Sequence, residues 1–331
     1  MSAITDLLLE NIDFGPSETR SGVTIVPLIL KDGTSAISLT TAIDQEMVEV
    51  LESDSVNHLK IKVANTDRPI LLPFLQIVGG GKQDRMLTRP LIIQPVEGEQ
   101  IFDIPVNCVE QGRWSHSRAS TGERTTPRFR SHQRARMSPS VGSRNISSSQ
   151  RATWASISRY QSISKVDRRV SPSSSYMEID EEVYRQIQEE ANPDFQTLLE
   201  MLQKSGELVP GQTGLAMFIG EDLVGLELFG SPDLWKEISK AVVSSFITEL
   251  RFHKREKKEP PKPEVIQESI RRSVSSRQYR NVSSDQFGDY YMDTEQDDLS
   301  SLVITHQGKP VEVYFAPMRG SVLQAMEQGE I

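Results

Sequence analysis

The chain has 331 residues, 37% of them apolar, a single cysteine and a net charge of −9. That length allows a real core in one large or two ordinary domains, while the lone Cys108 excludes an internal disulfide and fits a reducing compartment. Residues 1–15 carry no basic flank ahead of Leu7–Leu9, and no apolar run approaches the ~20 residues that cross a bilayer, so the expectation is a cytoplasmic chain with no membrane partner.

Residues 22–30 (GVTIVPLIL) read as a strand, and Lys31-Asp32-Gly33-Thr34 as a turn into a second short strand over 35–39. Thr40 or Thr41 can cap a helix carrying Ile43, Met47, Val48 and Leu51 at helical spacing. Strands are expected over 58–65, 70–78, 85–93 and 100–110, separated by short turns, which implies an antiparallel sheet in two packed layers. Residues 115–150 are rich in Ser, Arg, Gly and Pro without apolar periodicity and read as a disordered insertion.

A short helix is expected over 150–162, and an amphipathic helical stretch over 179–205 divided by Pro193. Next comes a hairpin, 213–219 and 223–229 about Gly220-Glu221-Asp222, then a helix that Ser231 caps and Pro232 opens. Its apolar stripe through Trp235, Ile238, Val242, Phe246 and Leu250 is the kind that covers a sheet. A charged, Pro-rich linker over 254–263, a short helix over 264–273 and four strands between 279 and 317 complete the reading. The expected fold class is α+β: an antiparallel β-rich, sandwich-like half (1–114), the Arg/Ser-rich insertion (115–150), and helices and β-hairpins over 151–331 completing one compact body.

Charge is unevenly spread. Residues 111–170 hold thirteen basic side chains against Glu123 and Asp167, a net +11, which leaves −20 for the rest. Such a segment can lie on the acidic body of its own chain, or bind nucleic acid or an acidic protein partner in a salt-dependent way. Aromatic residues are too sparse there for a base-stacking platform. The five histidines show no ligand spacing and one cysteine cannot build a thiolate zinc site, so neither metal nor cofactor is expected.

The densest polar stretch is residues 79–114. Gly79-Gly80-Gly81 leads into Lys82, Gln83, Asp84 and Arg85 between two strands. A Walker loop is excluded because Gln76 and Gln83 occupy the required Gly and Ser/Thr positions and a strand follows. Consecutive glycines can aim backbone N–H groups at an anion, with Lys82 and Arg85 adding charge; they equally suit an ordinary turn. Glu110, Arg113 and Trp114 form the second cluster. Arg113 can grip an anion bidentately, Trp114 can stack on a ring, and Glu110 can orient Arg113 or act as a base; a plain ion pair beside a core Trp is the alternative. Cys108 sits in an alternating strand and reads as a small buried hydrophobe.

Together these two clusters resemble a known family. Gly-Gly-x-Gln-x-Arg ending at Arg85, followed by Ile104-Pro-Val-Asn-Cys-Val-Glu-Gln-Gly-Arg-Trp114, is similar to the ADP-ribosylglycohydrolase- and rhodanese-phosphatase-associated protein domain. Gln150-Arg-Ala-Thr-Trp154, Gly225-Leu-Glu-Leu-Phe-Gly230 and the hairpin of 303–317 extend the likeness over most of residues 20–320. Lys82 within a triple-Gly setting and the Arg-rich 115–150 depart from the pattern. The resemblance implies a ligand-binding domain or an enzyme linked to ADP-ribose or nucleotide-sugar metabolism, with a nucleotide or phosphorylated-sugar ligand. In that reading Gly80, Lys82, Gln83, Arg85, Arg113 and Trp114 bind and Glu110 is the candidate catalytic residue.

Overall fold

The computed structural model describes residues 3–51, 55–79, 83–110, 150–164, 176–190, 192–250, 262–293 and 299–317. In chain order the first elements are α1 (Ala3–Asn11), β1 (Ile12–Phe14), β2 (Glu18–Arg20), β3 (Val23–Leu30), β4 (Ile37–Ser38), α2 (Leu39–Asp44), β5 (Val48–Leu51) and β6 (His58–Thr66). They continue with β7 (Ile70–Leu72), β8 (Ile77–Val78), β9 (Arg85–Leu87), β10 (Leu91–Ile93) and β11 (Val96–Cys108). Beyond residue 149 come α3 (Gln150–Ile163), α4 (Tyr176–Gln188), α5 (Pro193–Lys204), a 3-10 turn (Ser205–Glu207), β12 (Gly214–Ile219), β13 (Asp222–Phe229) and α6 (Pro232–Glu249). The last are α7 (Pro263–Ser275), β14 (Tyr279–Asp285), β15 (Gly288–Asp293), β16 (Leu299–His306) and β17 (Lys309–Pro317).

The fold is α+β, with three sheets. A nine-stranded antiparallel sheet runs β1-β3-β12-β13-β17-β16-β15-β14, with β2 also on β3. It joins the start of the chain to its end, because β3 pairs with β12 from Val23↔Ile219 to Leu28↔Gly214. A five-stranded sheet, β5-β6-β11-β9-β8, and a three-stranded one, β10-β7-β4, come from residues 37–108.

Both faces of the large sheet are covered, which is why its central strands are apolar nearly throughout. On one face Val26, Leu28, Ala216, Leu226, Val313 and Phe315 pack with Ile4 and Leu8 of α1 and with Ile266, Ile270 and Val274 of α7. On the other, Ile25, Met217, Phe229 and Tyr314 pack with α6 and with the residues of the two smaller sheets. Pro27 sits inside β3 without losing a ladder bond. It falls between the stretches paired by β2 and β1, where Gly15 N–H donates to its carbonyl (2.8 Å) and no partner asks for its own missing N–H.

Several expectations change in detail. Ser38, not Thr40 or Thr41, caps α2, its side chain accepting from Thr41 N–H. Met47, Val48 and Leu51 fall outside that helix; Val48–Leu51 is strand β5, held on β6. Val48 and Val50 alternate about Glu49 as a strand does, and pairing with β6 decides. The strands expected over 70–78 and 85–93 are each interrupted, at Pro73 and Pro90, where the ring removes a donor. The cap of α6 forms as the sequence implies, Ser231 accepting from Leu234 N–H, and Pro193 opens α5 behind an Asn192 cap on Asp194 N–H that the sequence reading did not name. Residues 111–149, 165–175 and 251–261 lie outside the described residues, and with them the Arg/Ser-rich insertion and most of the Pro-rich linker.

Two glycines hold the large sheet against the loop after β3. A Cβ on Gly230 would lie 2.0 Å from Thr34 O, and one on Gly33 would lie 2.4 Å from Gly230 O. Backbone faces backbone there, so neither side yields easily. Gly230→Ala is expected to lower stability by at least about 1–3 kcal/mol, read as a lower urea midpoint at unchanged m-value.

Candidate functional site

The end of β11 is where the polar residues gather. β8 and β9 form a hairpin, Ile77↔Met86 and Val78↔Arg85, and β9 pairs in turn with β11 so that Arg85 lies opposite Cys108. The segments after and before these strands are tied together. Val109 N–H donates to Asp84 O (3.1 Å), and Asp84 N–H donates to Glu110 Oε2 (3.0 Å). Glu110 is 2% exposed, so its carboxylate is part of the join between the two segments.

Helix α3 completes the cluster from the other side. Gln150 brackets Cys108 as a strand would: Cys108 N–H donates to Gln150 Oε1, and Gln150 Nε2 donates to Cys108 O, both at 2.7 Å. One turn on, Thr153 Oγ1 accepts from Asn107 Nδ2 at 2.8 Å. Gln150, Thr153 and Trp154 share one helix face by their i, i+3, i+4 spacing. Helix α4 docks beside them, with Tyr176 N–H donating to Val109 O (3.1 Å). The phenols of Tyr160 and Tyr176 both donate to Asp180 Oδ1, at 2.9 and 3.2 Å, and their rings stack at 5.5 Å. Burial, then the Asp180 charge, pushes the Tyr160 phenol well above its usual range.

Arg85 is the anomaly. It is 0% exposed. Nη1 donates to Gln83 Oε1 at 3.0 Å, but Nε and Nη2 have no acceptor, and among the described residues no carboxylate pairs with it. Nε and Nη2 form one edge of the guanidinium, the pair of parallel donors that grips a carboxylate or phosphate side-on. Trp154 Nε1 is a further buried donor without an acceptor; it stands beside the Cys108 sulfur, too loosely for an ordinary hydrogen bond. Three orphaned donors and no orphaned acceptor gather around one thiol.

That thiol is no nucleophile. Burial raises its pKa, and the Glu110 backbone N–H and the Arg85 charge offset this only in part. It stays protonated, donating to Glu110 O at 3.1 Å, and a protonated thiol attacks poorly. Cys108 is 0% exposed, as its alternating strand implied.

Of the residues singled out in the sequence, Gln83, Arg85 and Glu110 therefore come together in one buried cluster. Gly80, Lys82, Arg113 and Trp114 lie outside the described residues. Sequence reasoning did not assign Cys108, Gln150, Thr153 or Trp154 to the site. The helical spacing of the last three, beside a polar strand end, was the signal. No group of three or more metal-ligating side chains occurs among the described residues, and no described helix is long and apolar enough to cross a membrane.

The geometry coincides with the part of the chain that carries the motif resemblance. A family model described as the ARG and Rhodanese-Phosphatase-superfamily-associated Protein domain matches residues 11–314. The chain belongs to that family. The match takes in all three sheets, so the large sheet and the Arg85 cluster both lie within the family domain. Searches of curated proteins and of solved structures found no match.

Two outcomes follow from the buried cluster. A guanidinium with an open edge in a closed site is uncompensated charge, so Arg85→Met is expected to leave the ligand-free protein within about 1 kcal/mol of the parent or more stable. A buried Arg held in an ion pair would instead lose about 3–5 kcal/mol; urea unfolding in phosphate-free buffer separates the two. Cys108 should react with a disulfide reagent at pH 8 only as fast as the protein unfolds. Because its folded pKa is raised, its contribution to stability is full below the unfolded value of ~8.5 and declines as pH climbs above it. Stopped-flow labelling with and without urea checks the first point, and unfolding of Cys108→Ala at pH 7 and 9.5 the second.

Proposed function

We propose that this member of the family is an oxyanion-binding domain, and that its ligand places a phosphoryl group on the open Nε/Nη2 edge of Arg85. The observation that carries this is a fully buried guanidinium with two donors lacking any acceptor. Leaving such donors unmatched costs several kcal/mol in a low-dielectric interior, and an anion with two oxygens on one face relieves it. Gln83 holds the guanidinium in plane through Nη1, and the Trp154 N–H supplies another donor to the same ligand. Glu110 acts as a positioning residue: it fixes Asp84 and, through it, the start of β9.

A phosphoryl group is favoured over a carboxylate by the family description, which couples this domain to a phosphatase superfamily. ADP-ribose, nucleotides and phosphorylated sugars are therefore the ligand class to try first. Gly80, Lys82, Arg113 and Trp114 enter this reading through the sequence alone, as additional anion and ring contacts. Since Arg85 is enclosed, binding requires a local opening, and association should be slower than the 10⁵–10⁷ M⁻¹s⁻¹ common for preformed surfaces.

Thermal unfolding with inorganic phosphate, pyrophosphate, AMP and ADP-ribose tests this. A ligand at a hundred times its Kd stabilises by about 2.7 kcal/mol. The expected result is a rise of several degrees for at least one of them that disappears in Arg85→Met, whose fold survives. Absence of any shift, or a shift that persists in Arg85→Met, would overturn the reading.

A further inference from the structure

A recess lies away from the Arg85 cluster, between α4, α5, α6 and the 3-10 turn. Its volume is about 930 Å³, within the size range of small-molecule pockets. Its floor is one stripe of α6, Ser239, Val243 and Ile247, spaced four residues apart, with Ser244 beside them. Tyr184 closes the α4 side; it lies two turns beyond Tyr176, about 12 Å along the helix from the residue that docks on Val109.

The opposite wall is fixed in advance. Trp235 Nε1 donates to Gly206 O (2.7 Å), Gln212 Nε2 donates to Ser205 O (2.9 Å), and Leu208 N–H donates to Gln212 Oε1 (2.8 Å). Gly206 is pressed so close that a Cβ there would lie 3.0 Å from Ser239 Oγ. Walls held this firmly spare a ligand much of the ordering cost of binding.

The charge on the lining is unbalanced. Among the described lining residues, Lys204 and Lys240 face the recess against a single carboxylate, Glu207, and neither lysine forms an ion pair. That is a local positive focus in a chain of net charge −9. Ser244 is 8% exposed, lines the recess and makes no hydrogen bond. A recess with an apolar floor, a hydroxyl donor open to it and two ammonium groups outside any ion pair combines the features that hold an amphiphile.

We propose that this recess binds a small anionic amphiphile. The anionic head pairs with Lys204 and Lys240 and accepts from Ser244, while the apolar or aromatic body lies on Val243 and Ile247. The site is separate from the Arg85 cluster and does not depend on it.

The test is a titration of the full chain with 1-anilinonaphthalene-8-sulfonate, an anionic aromatic probe. Competition with hexyl phosphate and with hexanol, which shares the tail without the charge, reports on the head group. The expected result is one saturable site, weakened about tenfold in Lys204→Glu/Lys240→Glu and unchanged in Lys236→Glu on the same helix and in Arg85→Met. Hexyl phosphate should displace the probe where hexanol does not. The proposal is overturned by a lack of saturable binding, by equal weakening in Lys236→Glu, by equal displacement by hexanol, or by loss of binding in Arg85→Met. The last result would place the probe at the Arg85 cluster instead. Thermal midpoints of the variants confirm that each is folded.

Discussion

Enclosure of the nine-stranded sheet on both faces is the constraint from which most of the structure follows. Its middle strands meet helices α1 and α7 on one side, and α6 with the smaller sheets on the other. A polar group on such a strand has no route to water, so it must find a protein partner or go without. The chain mostly finds partners. Glu312 is 1% exposed and takes Phe74 N–H on its two oxygens at 3.1 Å, tying β17 to the segment after β7. Arg277 and Asp293 pair at 2.6 Å with side chains 4% and 1% exposed, locking the end of α7 to β15. Asp180 satisfies two phenols at once.

Against that background Arg85 stands out by contrast. The same fold that matches Glu312, Arg277 and Asp180 leaves an entire donor edge of a guanidinium unmatched. Its neighbours are well matched: Glu110 on Asp84, Gln150 on Cys108, Thr153 on Asn107. A region that matches these neighbours but leaves the guanidinium edge and the Trp154 N–H open is of the kind where functional sites tend to lie.

The elements that could be read from the sequence are those whose signals are local. Ser231-Pro232 opens α6, Pro193 divides α4 from α5, and Gly220-Glu221-Asp222 turns the β12–β13 hairpin, because caps and turns depend on adjacent residues. Helix α1 was not foreseen: Ile4 and Leu8 form a two-point stripe that counts only once α7 lies across it. Val48 and Val50 became a strand because β6 offered a partner, and the breaks at Pro73 and Pro90 were visible as prolines but outweighed by the apolar residues around them. At the site, Gln83, Arg85 and Glu110 were recognisable by type and spacing. That Arg85 lacks an ion-pair partner was not, since this depends on where every distant carboxylate ends up. The recess beside α6 left no mark in the sequence beyond two unremarkable lysines.

The bracket that Gln150 places on Cys108 has a consequence for the stretch between them. The two residues are 42 positions apart in the chain, yet their hydrogen bonds are 2.7 Å long. Departure and return are therefore neighbours. Even a wholly flexible connection would add only about 0.6 kcal/mol for each doubling of its length.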